Sequence, residues 1–243
     1  MKKTGLLALC ALFSYALSAQ TSGQVAQYSS NVGNTDGLYN HAMGAIGDKL
    51  EKLDYSIESI EGSPYMDNTF SKGQLYYGDE QVGNIYFRYN AYNEEIEIKQ
   101  QNLEGEPIRG LGKDKKIRLV ANGESMSFKT FVDSQGNTQN GYLTLLSDGD
   151  YKLYKHIDVV FKEAKKAENS FVKGKPAKFI QFVEYYLEGP DGKRIDQVEL
   201  NNKKVLNVIS EDKKASLSSF LKENKLKIKG EQDLMKVLSF LNS

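Results

Sequence analysis

The chain has 243 residues, of which 40% are hydrophobic and 26% are charged, with a single cysteine and no tryptophan. This composition is that of a folded domain with enough apolar residues for a sizeable core, and it excludes a disordered chain or a disulfide-rich scaffold. Lys and Arg together number 32, as do Asp and Glu. Because there is no surplus of positive charge to bind phosphates, we expect no nucleic-acid partner.

The first 19 residues have the features of an export signal. Two lysines precede an apolar run from Gly5 to Leu17, and Ser18-Ala19 supplies small residues for cleavage. The run is shorter than the roughly 20 residues that a membrane helix needs. We therefore predict a signal peptide over residues 1–19, no transmembrane helix in the mature chain, and a location in the periplasm or outer envelope. Lipidation at Cys10 is the weaker interpretation, because leucine precedes the cysteine where a lipoprotein signal has a small residue.

Residues 20–35 are small and polar and predict a flexible lead-in. A helical pattern then begins, with large apolar residues at successive spacings of 4, 3, 4 and 3. These residues are Tyr39, Met43, Ile46, Leu50 and Leu53. They predict an amphipathic helix over residues 36–54 whose apolar side needs a surface to cover it.

Residues 55–200 predict a β-rich core. Beyond a first strand at Tyr55–Glu61, four turn sequences separate β-prone runs and predict four hairpins. The paired runs are Gln74–Tyr77 with Val82–Tyr89, Ile117–Val120 with Ser125–Val132, Tyr142–Leu146 with Tyr151–Phe161, and Phe179–Leu187 with Arg194–Leu200. Apolar and polar residues alternate within several of these runs, so each sheet should have one dry face and one wet face.

Residues 203–243 predict a helical tail. Apolar residues recur at helical spacing in three short segments, of which the last is the clearest. Its stripe is Leu234, Val237, Leu238 and Leu241, with Glu231 and Asp233 in the first turn, where negative charge suits the helix dipole. Helices this short are unstable alone in water and must dock on the β region.

These elements predict an α+β fold with one mixed domain over residues 36–243. Its centre would be a curved antiparallel β-sheet or partly open barrel of about nine strands. The N-terminal helix and the C-terminal helical segment would flank this sheet.

The residues that usually carry catalysis are sparse. Of the two histidines, His41 has no acidic neighbour at helical spacing, and His156 shares a strand face with Asp158, which favours an exposed histidine beside a solvated carboxylate. No serine lies in a nucleophile elbow, and no His or Cys cluster or Asp-rich calcium loop is present. We therefore predict no catalytic residue, no metal and no cofactor.

The most distinctive composition lies between Tyr76 and Tyr92, where six aromatic residues fall within 17 positions. Cross-strand aromatic packing is the structural interpretation of this pattern. The functional interpretation is a contact surface, since tyrosine and arginine provide large contact areas at a low entropic cost. On that interpretation the binding residues are Tyr86, Arg88, Tyr89 and Tyr92.

Several short motifs resemble a group of exported, uncharacterised proteins of Bacteroidetes-type bacteria. They are Gly62-Ser-Pro-Tyr65, Gly73-Gln-Leu-Tyr-Tyr77, the run from Phe87 to Ile96, Phe220 to Leu226, and Asp233-Leu234. The resemblance extends from about Ile60 to the end of the chain. It implies a periplasmic or outer-envelope location and brings no activity or site residue with it.

Three functions are consistent with these observations. The first is a non-enzymatic envelope protein that binds a partner protein, glycan or lipid through its aromatic-rich sheet. The second is a periplasmic carrier of lipid or lipoprotein, which requires a large apolar cavity in a half-barrel. The third is a hydrolase that uses His156 or the acidic loops.

Overall fold

The computed structural model describes residues 60–165 and 174–243, which form ten strands followed by three helices. The strands are β1 Ser71–Tyr77, β2 Glu80–Asn90, β3 Glu95–Lys99, β4 Arg109–Gly110, β5 Ile117–Ala121, β6 Glu124–Val132, β7 Thr138–Ser147, β8 Lys152–Lys162, β9 Lys178–Glu188 and β10 Ile195–Val198. The helices are α1 Asn202–Val208, α2 Glu211–Glu223 and α3 Glu231–Leu241. The predicted α+β class is confirmed at this level. The signal peptide, the lead-in, the helix over residues 36–54 and all but the last two residues of the strand predicted at Tyr55–Glu61 lie outside the described residues.

The ten strands form one sheet in the order β10-β9-β8-β7-β6-β5-β1-β2-β3-β4. Neighbouring strands in this order are antiparallel, and a parallel bridge also joins Asp196 of β10 to Val132 of β6. For this bridge to form, the half of the sheet from β6 to β10 must curve until its last strand meets its first.

All four predicted hairpins are confirmed, as β1–β2, β5–β6, β7–β8 and β9–β10. The β5–β6 turn shows why its sequence was sufficient to predict a hairpin. Asn122 and Gly123 both have positive φ, 53° and 83°, which a two-residue hairpin turn requires and which Asn and Gly adopt at little cost.

The predicted alternation places different side chains on the two faces of β1, β2, β3 and β5. On one side, which we call the core face, apolar residues join a buried cluster with β6, β7 and β8. This cluster includes Phe87, Tyr89, Ile96, Leu119, Met126, Tyr142 and Val159. The other side, which we call the open face, carries Lys72, Gln74, Tyr76, Asn84, Tyr86, Arg88, Lys99 and Arg118, as the strand registers show.

The three helices cover the start of β8 and the end of β9. The predicted stripe of α3 is buried and packs in one cluster with Leu153, Tyr185 and Leu187 of the sheet and with Tyr151, which precedes β8. The Asn201 side chain accepts a hydrogen bond of 2.9 Å from the main-chain N–H of Lys203 and so caps α1. Within residues 60–165 and 174–243, no helix is both long and apolar enough to cross a bilayer.

Candidate functional site

The structure separates the four predicted binding residues. Tyr86 and Arg88 lie on the open face, two residues apart on β2. Tyr89 lies on the core face, is 1% exposed, and donates its hydroxyl hydrogen bond to Glu94 Oε2 at 2.7 Å. Tyr92 lies in the β2–β3 turn and packs edge-to-face with the Phe179 ring. Only the first two of these residues therefore share one surface.

The Arg88 side chain is bound by other residues of the same chain. Its Nε donates to Glu97 Oε2 at 2.7 Å, and the two side chains are only 14% and 3% exposed. Its guanidinium also lies 3.9 Å from the ring centroid of Tyr65 and 4.6 Å from that of Phe70. With the charge paired and both flanking rings in contact, the main role of Arg88 is to join β2, β3 and the segment that precedes β1.

Tyr86 occupies the centre of the open face. Its direct neighbours across the strands are Lys72 of β1 and Lys99 of β3. On the same face, the Arg118 guanidinium lies 4.2 Å from the Tyr76 ring centroid. A row of cation, ring and cation therefore crosses β1, β2 and β3, and a second pair of ring and cation lies on β1 and β5.

The negative charge of the open face is confined to one end. Its carboxylates in this region, Glu95 and Glu97, both lie on β3, and Glu97 is already bound to Arg88. Burial and then the charge of Glu97 raise the pKa of Glu95. Lys72 is exposed and Arg118 is half-buried, and their cross-strand neighbours are the uncharged residues Tyr86, Tyr76 and Ser127.

A partly buried histidine–carboxylate cluster, consisting of Glu94, His156 and Glu184, forms a second site. His156 is 7% exposed. Its Nε2 lies 2.6 Å from Glu94 Oε1 and its Nδ1 lies 3.2 Å from Glu184 Oε2. The expectation of an exposed histidine beside Asp158 was therefore wrong, because two carboxylates from other parts of the chain enclose the ring.

Glu94 fills a gap in the sheet. The pairing of β7 with β8 begins only at Thr144, so the earlier part of β7 has no partner in β8. The Glu94 carboxylate enters this region, where Oε2 accepts the Tyr142 main-chain N–H at 3.1 Å. Glu94 reaches this position from the β2–β3 turn with a φ of 51°, which is unusual for a residue with a side chain.

The two carboxylates that contact His156 determine its protonation state. Burial by itself would lower the pKa of His156, but the hydrogen bonds and charges of Glu184 and Glu94 outweigh it and raise the pKa to about 9. The hydrogen bond from His156 lowers the pKa of Glu184, whereas burial raises the pKa of Asp158. At neutral pH the ring is thus an imidazolium with both nitrogens engaged, so it has no free lone pair with which to act as a general base.

A small cavity lies near the end of β2, beside the segment that precedes β1 and the β5–β6 turn. Its volume is about 130 Å³, and Arg88 and Tyr89 line part of it. In the described part of the chain, no group of three or more His, Cys, Asp or Glu residues is placed to hold a metal ion.

No protein-family model, curated protein or solved structure matched this chain in the comparisons. The geometry described above is therefore the basis for assigning a function.

Proposed function

We propose that the protein is a non-enzymatic envelope protein that binds an acidic glycan across its open face. The observation that carries this proposal is the position of Tyr86 between Lys72 and Lys99, with Arg118 stacked on Tyr76 along the same face.

Each part of this surface matches a part of an acidic sugar polymer. The cationic groups suit carboxylate or sulfate, and the tyrosine rings provide flat apolar surfaces that end in a hydroxyl. The exposed amides of Gln74 and Asn84 can both donate hydrogen bonds to sugar hydroxyls and accept them. Because the face is open, it suits an extended chain that lies across several strands better than a small enclosed molecule.

We infer an envelope location from the signal-like residues 1–19, and we retain a curved, partly open sheet as the proposed architecture. The parallel bridge between Asp196 and Val132 supports this curvature. An extracytoplasmic location would also expose the open face to the acidic polysaccharides of cell surfaces.

Affinity electrophoresis of the purified mature protein tests the proposal. Polygalacturonate in the gel should retard the protein, and uncharged dextran should not. Retardation should weaken as NaCl is raised from about 50 to about 500 mM, because salt screens exposed charges. Equal retardation by both polymers would contradict the proposal.

Two variants localise the binding. Tyr86→Ala and the double variant Lys72→Gln/Arg118→Gln should each weaken binding by about fivefold or more. The matched control is Lys193→Gln/Lys203→Gln, which removes two exposed positive charges away from the open face. A control that loses as much affinity as the open-face variants would show that binding follows net charge and not this surface.

A further inference from the structure

We propose that the cavity beside Thr144 is a second binding site, which takes a small organic amine with an apolar body. Arg88 is the one open-face residue that lines this cavity, and Lys72, Tyr86 and Arg118 do not line it, so binding at the two sites can be tested separately. The reasons are the size of the cavity, the nature of its floor, a hydroxyl group that lines it and the charge at its rim.

The floor of the cavity is apolar and deep. Phe87, Leu119 and Met126 line it and are 7%, 1% and 7% exposed. Its volume is about 130 Å³, and an apolar cavity of about 150 Å³ is known to hold a benzene molecule. A compact ring or branched chain of about six carbon atoms therefore fits this space.

Thr144 adds one polar group to this floor. It lines the cavity and is 5% exposed. Within residues 60–165 and 174–243, no protein group forms a hydrogen bond with its hydroxyl. The Thr144 oxygen is not among the fully buried side-chain atoms of the described residues that lack a partner, so it is accessible from the cavity. A polar hydrogen or lone pair of a ligand, or of a water molecule bound beside it, would satisfy the hydroxyl.

The rim of the cavity favours a cation. Its exposed acidic residues are Asp67 and Glu124. The main-chain N–H and the hydroxyl of Thr69 both donate to Asp67 Oδ1, at 2.9 and 2.8 Å, which fixes this carboxylate at the rim. Arg88, which also lines the cavity, is bound to Glu97, and the Lys155 ammonium lies 3.9 Å from Glu124 and 3.8 Å from Glu231. Asp67, which is in no ion pair within the described residues, therefore supplies the negative charge of the rim.

The experiment compares three probes of nearly equal size by isothermal titration calorimetry of the mature protein. Benzylamine carries a positive charge, benzyl alcohol is neutral and benzoate is negative. We expect benzylamine to bind most tightly and benzoate least tightly. If none of the three binds at up to about 10 mM, or if benzoate binds as tightly as benzylamine, the proposal is wrong.

Two variants test the named groups. Thr144→Val keeps the shape of the side chain and removes the hydroxyl, and should weaken benzylamine binding by about two- to tenfold. Asp67→Asn should weaken benzylamine binding by roughly two- to fivefold and leave benzyl alcohol binding unchanged. Asp79→Asn, in the exposed β1–β2 turn, is the matched control. Unchanged benzylamine affinity in both cavity variants, with the fold verified by circular dichroism, would overturn the assignment.

The test also separates this site from the glycan surface. The variant Lys72→Gln/Arg118→Gln should keep full affinity for benzylamine, because neither residue lines the cavity. If this variant loses benzylamine binding, the amine does not occupy the cavity and the inference fails, whatever the outcome of the glycan experiment.

Discussion

Nε2 of His156 lies 2.6 Å from Oε1 of Glu94, a residue 62 positions earlier in the chain. This contact joins the β2–β3 turn to β8 where β7 and β8 are not paired. Through Nδ1 the same ring reaches Glu184 on β9. One imidazolium therefore links three separate segments of the sheet, and its charge compensates carboxylates that would otherwise repel each other.

The histidine–carboxylate cluster should make stability depend on pH on the alkaline side. The pKa of His156 is about 9 in the folded protein and 6.5 in the unfolded chain. The folded state therefore binds more protons between these values, so the stabilisation is complete below pH 6.5 and is lost as pH rises through 9. A shift of this size corresponds to about 3 kcal/mol of unfolding free energy.

Urea denaturation at about pH 6.5, 8 and 9.5 measures this dependence. The pKa values of Tyr89 and Tyr186 are raised, by burial and then by neighbouring carboxylates, so these groups do not ionise in the folded protein in this range. Any ionisation of tyrosine in the unfolded chain is common to the wild type and the variant, so it cancels in their comparison. His156→Gln should be less stable than the wild type at pH 6.5 and should lose less stability between pH 6.5 and 9.5. Parallel pH profiles for the two proteins would show that His156 is not the titrating group.

Gly141 should be essential for the position of Glu94. A Cβ atom on Gly141 would lie 2.8 Å from Glu94 Oε2, so Gly141→Ala must displace the carboxylate. We expect a loss of about 1–3 kcal/mol in unfolding free energy. Gly83→Ala on β2 is the control, since a Cβ there would have no neighbour within 4 Å.

A double-mutant cycle distinguishes this clash from a general effect on β7. In a Glu94→Ala background the cost of Gly141→Ala should shrink, because the atom that the new methyl group meets has gone. Strictly additive costs would contradict the proposed contact.

The sequence predicted the local parts of the fold well. The Asn122-Gly123 turn and the stripe of α3 depend on residues close in the chain, so their patterns are visible in a single sequence. The ladder of β8 with β9 and the bridge of Asp196 to Val132 were not predicted, because they join segments far apart in the chain. Alternation shows which side chains share a face, but it does not show which strand lies beside which.

For the same reason, the sequence predicted only part of each candidate site. Alternation correctly placed Tyr86 with Arg88, and it also placed Tyr89 with Phe87 on the other side, where both are buried. No pattern in the sequence indicated the role of Glu94. Its backbone has a positive φ in the β2–β3 turn, and its side chain reaches His156, which is far away in the chain. A histidine and an acid on the same strand face were visible in the sequence, but the carboxylates that bind this histidine were not.

Arg88 should be more important for stability than for binding. Arg88→Ala would leave the carboxylate of Glu97, which is only 3% exposed, without its cation and with only the hydrogen bond from the Tyr65 hydroxyl at 3.2 Å. Removing one partner of a buried ion pair costs about 3–5 kcal/mol. Lys99→Ala, on the same face, should cost about 0.5 kcal/mol or less. Thermal denaturation of the two variants measures this difference, and a stable Arg88→Ala protein would show that the pair contributes little.

Asn242 should stabilise the contact between the end of α3 and the residue that precedes β8. Its Oδ1 accepts the main-chain N–H of Tyr151 at 2.8 Å, and its Nδ2 donates to the main-chain oxygen of Tyr151 at 2.9 Å. Asn242→Ala should lower the unfolding free energy by about 1–3 kcal/mol, since two partly buried main-chain groups lose their partner. Asn224→Ala is the control, because its Nδ2 donates to Phe220 within the exposed end of α2.

Hydrogen exchange determines where this stability is lost. If Asn242 stabilises α3 against local unfolding, the amides of α3 should exchange faster in Asn242→Ala, while those of β8 and β9 change less. Uniform acceleration in helix and sheet would instead mean that α3 unfolds only together with the sheet. That result would make the packing of its buried stripe, Leu234, Val237, Leu238 and Leu241, the dominant link between helix and sheet.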